Sequence, residues 1–459
     1  MKNIKLDFKS IDWKLFLSFL VFSLVPAIWT LVRTFVITNV AKADINTMAQ
    51  WEFVNSALEM LQEGFVLPLF WWFGVSLKSN KKSEFQDRVK WSYFINFIIY
   101  TSIIIILSFF VSDFVQLTTG SNEGSLQKTY FLLELWAKIP NILFLISITV
   151  LSSLNKWKWV LIIALVKLLL GITFDFTLVN ASVVGQENGY VGIGLSTLIT
   201  GLFLFLASFL LILKEIGYKK FFIFKKIQFS KEIILNVTYS FLESFVRNIF
   251  YLMMVAKMVN TIQSAGTYWL ANSIIWNWIL LPLSMMGYIQ KAAVSQNIED
   301  KKEQLKILFN YLAINLSLFL GVTFVFIGLW KPLASVINNN EYQVNVSYYI
   351  FINIIWFYIA YVVSDTINSS LYGQGKIQYI LIQSIIVNFI VYTPLYIFYK
   401  NNTLSFDLYS IVIMFGFTFV VGAIFTIILF IFNMSYYKKP ISTNIEIKKV
   451  YDKKTSKKA

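Results

Sequence analysis

Long apolar runs alternate with short polar segments along almost the whole chain, from Trp13 to Asn433. Each run approaches the roughly 20 residues with which an α-helix crosses about 30 Å of hydrocarbon. The pattern therefore predicts an all-α membrane protein with about twelve transmembrane helices. The predicted spans are residues 13–38, 51–75, 91–117, 129–152, 157–179, 190–214, 232–256, 267–294, 306–330, 345–371, 377–399 and 407–433.

Lys and Arg residues are distributed unevenly between the two ends of these spans. Of the 39 basic residues, 29 lie on the side of the chain termini and five lie in the opposite loops. Short loops rich in Lys and Arg stay cytoplasmic, so both termini are predicted to be cytoplasmic in a plasma-membrane protein. The net charge of +15 lies mostly beside the spans, where it attracts anionic headgroups. We therefore expect membrane lipids as partners, and no nucleic acid.

The composition excludes several classes of protein. With 57% hydrophobic and 14% charged residues, a soluble globule would have too little polar surface to cover itself. The chain contains no Cys and no His, so it offers no thiolate nucleophile, no imidazole base and none of the usual zinc ligands. It also lacks a GxxxxGK[ST] loop, which excludes a P-loop ATPase within this polypeptide. We expect no cofactor and no enzymatic activity.

A basic segment divides the predicted spans into two groups of six. It covers residues 214–231, lies between spans six and seven, and is expected to be a cytoplasmic linker. The predicted organisation is a six-helix bundle over 1–213, this linker, a second six-helix bundle over 232–433, and a basic cytoplasmic tail over 434–459.

The two bundles resemble each other in sequence. LVRTFVITNVAKADINTM, which opens at Leu31, matches FVRNIFYLMMVAKMVNTI, and LPLF matches LPLS 214 residues later. Arg33 then corresponds to Arg247, and Pro68 to Pro282. Such repeats are typical of transporters, since two pseudo-symmetric bundles can open a central site to either side of the membrane.

Several local patterns occur in an order that resembles the MATE family, the multidrug and toxic-compound extrusion transporters. Span five ends in KLLLGITFDFTLV, with Asp175, and is followed by the glycine-spaced NGYVGIGLSTLIT. Span seven contains SFLESFVRN, and span ten ends in YVVSDTINSSLYGQGK. The similarity extends over nearly the whole chain and implies an antiporter of two six-helix bundles.

The resemblance also implies a site for the coupling ion, either a proton or sodium. Its residues are Glu243, Tyr361 and Asp365 in the second bundle, with Asp365 and Glu243 as the ligands of a sodium ion. Tyr361 and Asp365 are four residues apart, which places both on one helix face. The first bundle departs from the family, because Arg33 stands where the family usually has an Asp. This replacement puts a cation site in the first bundle in doubt.

Other ionisable residues inside the spans mark a cavity or charge pairs, since charges within a membrane are costly and seek partners. Spacing of four residues places Glu134 beside Lys138 and Glu243 beside Arg247, and for Glu134 and Lys138 we expect mutual neutralisation. The acids Glu59 and Glu63 share one face of span two, where one of them is a candidate partner of Arg33. Lys167, among apolar residues, is expected to snorkel or to pair. The candidate cavity residues are Arg33, Glu59, Glu63, Asp175 and Arg247.

These observations predict a secondary exporter that acts as a monomer. It would exchange a proton or sodium ion for an amphipathic, cationic small molecule. An alternative in the same superfamily is a flippase for a lipid-linked oligosaccharide or another polyprenyl-linked anionic lipid, which Arg33 and Arg247 would favour. An intramembrane enzyme or a receptor that does not transport is the alternative from another class, which the absence of His and Cys disfavours.

Overall fold

The structure is a computed structural model. It describes residues 11–35, 46–78, 82–113, 115, 125–180, 189–221, 231–251, 258, 265–337, 340–401 and 407–435. The predicted tail from 434 onward lies almost entirely outside the described residues.

Six long helices build the first half of the chain. They are α1 (Trp13–Phe35), α2 (Asn46–Lys78), α3 (Lys82–Phe109), α4 (Ser125–Ser153), α5 (Trp157–Asn180) and α6 (Gly189–Ile216). A short helix, α7 (Tyr218–Phe221), follows within the predicted linker.

The second half contains more and shorter pieces, because several of its spans are broken. They are α8 (Lys231–Phe250), α9 (Ala265–Ile274), α10 (Leu281–Gln296), α11 (Lys301–Ile337), α12 (Glu341–Ile354), α13 (Phe357–Gly373), α14 (Ile377–Val387), α15 (Thr393–Lys400) and α16 (Leu408–Ser435). Two π-helical segments, Ile275–Ile279 and Asn388–Tyr392, join α9 to α10 and α14 to α15.

Eight helices of the described residues are long and apolar enough to cross a membrane, and ten spans result if two bent pairs each count as one. A shorter apolar stretch, Trp13–Trp29, belongs to α1. These helices agree with the prediction of an all-α membrane protein with about twelve transmembrane helices.

Two spans that the sequence predicts as continuous helices are bent in the structure. The span predicted at 267–294 bends by 45° between Ile279 and Leu281, and the span predicted at 345–371 bends by 61° between Ile354 and Phe357. Pro282 stands in the first turn of α10, where its missing N–H is tolerated, and the π-helical segment ends just before it. No proline accounts for the second bend.

Glycines in α2 bring the two halves into close contact. A Cβ on Gly64 would lie 2.9 Å from the Cα of Phe241 in α8, and a Cβ on Gly74 would lie 2.0 Å from Ser295 Oγ in α10. Any larger side chain at either position would force the backbones apart. Small residues therefore fix the separation of the halves along this part of α2.

Aromatic rings close the same contact. The ring of Tyr288 in α10 packs against Phe19 of α1 and Phe70 of α2, at centroid distances of 5.8 and 5.5 Å. Phe19 lies near the start of α1, and Gly74 lies near the end of α2, so these contacts are on the side of the chain termini. The halves are thus packed together on that side.

Candidate cation-coupling site

The first acid of the site, Glu243, lies on α8, within the span that the sequence predicts at 232–256. It is about 18 Å along the helix axis from the start at Lys231. Its side chain is buried, and Arg247, one turn later, donates from Nε to Glu243 Oε1 over 3.0 Å. Tyr372 of α13 donates from its hydroxyl to the other carboxylate oxygen over 3.4 Å. Glu243 is thus held by its own helix and by α13.

The second acid, Glu63, comes from the other half of the chain. Arg247 donates from Nη2 to Glu63 Oε2, and Ser244 Oγ donates to the same oxygen over 2.7 Å. Ser240 Oγ, one turn earlier on α8, donates to the backbone carbonyl of Glu63 over 3.3 Å. A single guanidinium therefore bridges two carboxylates, one from each half.

This geometry bears on the expected partners of Arg33. The side chain of Arg33 lies outside the described residues, so its pairing stays a prediction. Glu63 pairs with Arg247, which the helix spacing did not indicate. Glu59 accepts a hydrogen bond of 3.0 Å from the side chain of Asn55.

The third acid, Asp365, lies on α13 and faces α10. A Cβ on Gly287 of α10 would lie 3.9 Å from Asp365 Oδ2. Lys291 follows Gly287 by one turn on the same helix face, and the charge that acts most strongly on Asp365 is that of Lys291. Arg247 also acts on Asp365. Asp365 thus lies on the face of α13 that packs against α10, the helix that carries Lys291.

Lys291 is the residue of the site that the sequence analysis missed. Its amine lies 4.8 Å from the ring centroid of Tyr288 and 5.2 Å from that of Tyr372, within the range of cation–π attraction. Beside it, Gln290 donates to the carbonyl of Thr366 over 2.8 Å and fixes α10 against α13. The sequence feature that could have indicated Lys291 is its position four residues after Gly287, which places both residues on one face of the helix.

Tyr361, the remaining predicted residue, lies one turn before Asp365. Its ring packs against Trp276, Tyr358 and Phe419, at centroid distances of 5.2, 5.9 and 5.3 Å. These rings build an aromatic wall beside the site. The structure places Tyr361 close enough to Asp365 and Arg247 for their charges to act on its hydroxyl.

We call Glu63, Glu243, Arg247, Lys291 and Asp365 the coupling cluster. Its three carboxylates face one guanidinium and one ammonium, so the five side chains carry a formal charge of −1 when all are ionised. An uncompensated charge inside a membrane costs about 2.5–3.5 kcal/mol on insertion scales. One proton or one monovalent cation would balance the charge. Among the described residues, no group of three or more His, Cys, Asp or Glu side chains is arranged to hold a metal ion.

The predicted cavity residue Asp175 is buried in the first half. The indole N–H of Trp29 in α1 donates to Asp175 Oδ2. A Cβ on Gly171, one turn earlier on α5, would lie 2.6 Å from the ring of Trp29, so the glycine lets the indole reach the acid. Asp175 therefore joins α5 to α1.

The acid and the base that were expected to neutralise each other have other polar contacts. Thr197 Oγ1 of α6 donates to Glu134 Oε1 over 2.8 Å, and Lys138 Nζ donates to Asn55 Oδ1 of α2. Lys167 points its amine at the rings of Phe22 and Phe144.

Comparison with known proteins shows the fold. Neither a protein-family model nor a curated protein sequence matches the chain. A multidrug resistance MATE family transporter of the MOP superfamily, solved in an outward-facing conformation, matches with a TM-score of 0.80, 13% identity, and coverage of 96% of this chain and 99% of that chain.

Two further solved structures match over similar lengths. A MOP superfamily transporter from Pyrococcus furiosus, whose binding pocket of reversed polarity suggests a different function, has a TM-score of 0.77 and 16% identity, with 95% and 98% of the chains covered. An Asp-to-Asn mutant of the Vibrio cholerae MATE transporter VcmN has a TM-score of 0.76 and 12% identity, with 93% and 97% covered. The chain is thus a multi-pass α-helical membrane protein with the fold of the MATE transporters of the MOP superfamily.

Proposed function

We propose that the chain is a secondary active exporter, not an enzyme, that exchanges a proton or a sodium ion for an amphipathic small molecule across the plasma membrane. The observation that carries the proposal is the formal charge of −1 on the coupling cluster. Binding of one cation would balance that charge. Each charge that crosses 100 mV contributes about 2.3 kcal/mol, so an ion gradient can drive export without nucleotide hydrolysis.

The same cluster gives a route from ion binding to movement of the halves. When a cation neutralises Asp365, the carboxylates that still act on Lys291 are those of Glu63 and Glu243. Lys291 then competes with Arg247 for these two carboxylates. This competition weakens the ion pair between α2 and α8 and favours separation of the halves on the side of the termini.

The basic members of the cluster favour a proton over sodium as the coupling ion. Lys291 and Arg247 both act on Asp365, and they would repel a metal cation placed beside its carboxylate. A proton bonds covalently to a carboxylate oxygen and needs no further ligands. Sodium would need Glu243 and Asp365 as ligands and would have to displace both basic groups.

The decisive experiment uses the purified chain in lipid vesicles with an imposed proton or sodium gradient. The probes are ethidium, a lipophilic aromatic cation, and the aromatic anion 2-naphthoate. We expect gradient-driven transport of at least one probe, and we expect Asp365→Asn to abolish coupling while the protein remains folded. The control is Asp300→Asn, because Asp300 is exposed and an Asn can still cap the start of α11. Full coupled transport by Asp365→Asn would contradict the proposal.

Orientation and subunit number follow as parts of the proposal. Both termini are proposed to face the cytoplasm on the evidence of the basic residues, and one chain is proposed to suffice because both halves of one chain contribute acids to the cluster. The chain contains no Cys, so single introduced Cys residues can be labelled selectively. Cys at Asn401 should react with an impermeant maleimide from outside the cell, and Cys at Asp300 should react only after permeabilisation. The reverse pattern would contradict the orientation.

The second candidate function is a flippase for an anionic lipid-linked substrate. It is favoured by Arg247, whose side chain is 46% exposed although it bridges α2 and α8. The Pyrococcus furiosus transporter with a pocket of reversed polarity offers a precedent for altered function in this fold. Transfer of a fluorescent polyprenyl phosphate between vesicle leaflets, without transport of soluble probes, would support this alternative.

A further inference from the structure

Two lysines lie near the middle of neighbouring helices in the first half. Lys138 is about 20 Å along α4 from Ser125, and Lys167 is about 15 Å along α5 from Trp157. The helices run in opposite directions, so both lysines are deep in the membrane-spanning region. The ring of Phe144, on the same helix as Lys138, lies 5.9 Å from the amine of Lys167, and the charge of Lys138 acts on that amine. We call these two residues the lysine pair.

Aromatic rings surround the lysine pair. The amine of Lys167 lies 5.4 Å from the ring centroid of Phe22 in α1 and 5.9 Å from that of Phe144 in α4. The amine of Lys138 lies 5.9 Å from the ring centroid of Trp51 in α2. Ring faces attract an ammonium group but carry no net charge. They therefore supply no counter-charge to the pair.

Three acids of the first half accept hydrogen bonds from other donors. Thr197 donates to Glu134, Asn55 donates to Glu59, and Trp29 donates to Asp175. Within the described ranges, no salt bridge joins either amine of the lysine pair to a carboxylate. Asn55 lies between the pair and Glu59, because its carbonyl oxygen accepts from Lys138 while its amide nitrogen donates to Glu59.

We propose that the lysine pair is a subsite for the anionic group of an amphipathic aromatic substrate, such as an aromatic carboxylate, sulfonate or phosphate. This inference rests on the proposed export function and names its substrate class, which differs from the cationic class expected from the sequence. The two ammonium groups would donate to the anion, and Phe22, Phe144 and Trp51 would pack on the apolar part. Lys138 and Lys167 are both half-buried.

The charges of the two halves support this assignment. The coupling cluster of the contact between the halves has a formal charge of −1, whereas the lysine pair in the first half adds two positive charges. A cationic substrate would compete with the coupling ion for the same acids and would be repelled by the lysines. An anionic substrate would bind at a separate site, so the substrate and the coupling ion would not compete for the same acids.

The test is equilibrium binding of 2-naphthoate to the full chain in lipid nanodiscs, with the neutral 2-naphthamide as the matched probe. We expect the double variant Lys138→Gln, Lys167→Gln to bind naphthoate about tenfold or more weakly, since a hydrogen bond to a charged group contributes about 1.5–3 kcal/mol. Binding of naphthamide should not change. Lys331→Gln is the control, because Lys331 is an exposed lysine of α11 that also lies over an aromatic ring. Equal naphthoate affinity of the double variant and the wild type would overturn the proposal.

A second variant keeps the test decisive if the double variant does not fold. Asn55→Asp places a carboxylate against Lys138 and supplies the missing counter-charge within the protein. It should weaken naphthoate binding and leave naphthamide binding unchanged, whereas full naphthoate affinity in this variant contradicts the subsite. Binding is measured at equilibrium without a gradient, so its outcome does not depend on ion coupling. Failure of one proposal can therefore be distinguished from failure of the other.

Discussion

Arg247 and Glu63 form a salt bridge between the two halves of the chain, although 184 positions separate them in sequence. The guanidinium also holds Glu243 of its own helix. Arg247 therefore connects an interaction within the second half to the closed contact between the halves.

Glu63→Gln should weaken the closed contact on the side of the termini. Glu63 and Arg247 are 37% and 46% exposed, so screening limits the loss to about 1 kcal/mol. Cys residues introduced at Phe70 and Tyr288, whose rings are 5.5 Å apart, report closure by their cross-linking. We expect the cross-linked fraction to fall in Glu63→Gln.

Glu59→Gln provides the control for this prediction, since Glu59 lies one turn earlier on α2 and accepts from Asn55 within the first half. It should leave the cross-linking unchanged. Equal cross-linking in Glu63→Gln and the wild type would show that the ion pair contributes nothing to closure.

Gly74→Ala should separate the halves by steric force. The added Cβ would stand 2.0 Å from Ser295 Oγ and 2.6 Å from Ser295 Cβ, and Ser295 is fully buried. Overpacking of this kind typically costs about 1–3 kcal/mol. Thermal unfolding in detergent should show the loss, and Ser295→Gly should restore part of it.

Gly321→Ala is the matched control, because no atom lies within 4 Å of a Cβ at that position in α11. Ala stabilises an exposed helix interior by about 0.5–1 kcal/mol relative to Gly, so this variant should be as stable as the wild type or slightly more stable. A loss in Gly321→Ala equal to that in Gly74→Ala would mean that crowding is not the cause.

The fold could be predicted from the sequence because membrane helices are specified locally. Each apolar run has to satisfy its own backbone hydrogen bonds in lipid, so its length and composition decide its structure. The break near Pro282 could have been foreseen from the missing N–H of proline. The bend between Ile354 and Phe357 could not, since no Gly or Pro occurs there and packing against neighbouring helices sets the angle.

The site was less predictable, because its contacts join helices distant in sequence. Spacing of four residues was sufficient to place Arg247 beside Glu243, which lie on one helix. It could not show that Glu63 reaches the same guanidinium or that Tyr372 donates to Glu243. Lys291 was overlooked because lysines near the ends of spans commonly extend to the headgroups.

Lys291→Gln should shift the pH dependence of coupled transport to higher pH. Removal of the ammonium leaves three carboxylates against one guanidinium, and a carboxyl group without its positive neighbour retains a proton more readily. Proton release would then need a higher pH. The measurement is the initial rate of gradient-driven transport between pH 5 and 9 in vesicles, in the range where carboxyl groups of buried sites can titrate.

Lys302→Gln is the control for the pH profile, since Lys302 is exposed at the start of α11. Its profile should coincide with that of the wild type. If Lys291→Gln is fully active and its pH profile coincides with that of the wild type, Lys291 does not act on the titrating carboxylate.

The last prediction concerns movement of charge, and it combines the coupling cluster with the lysine pair. If an anion leaves the cell while a proton enters, both steps move positive charge inward. An inside-negative membrane potential should then accelerate export of 2-naphthoate, because each charge gains about 2.3 kcal/mol of driving force for each 100 mV.

Potassium-loaded vesicles with valinomycin impose this potential, and the chain is inserted with its termini inside. Exchange of a monovalent cation for one proton would instead be electroneutral and insensitive to the potential. The expected result is potential-dependent efflux of preloaded 2-naphthoate from vesicles with the wild type. This efflux should be lost in the double variant Lys138→Gln, Lys167→Gln and retained in Lys331→Gln. Electroneutral transport of ethidium alone would contradict the prediction.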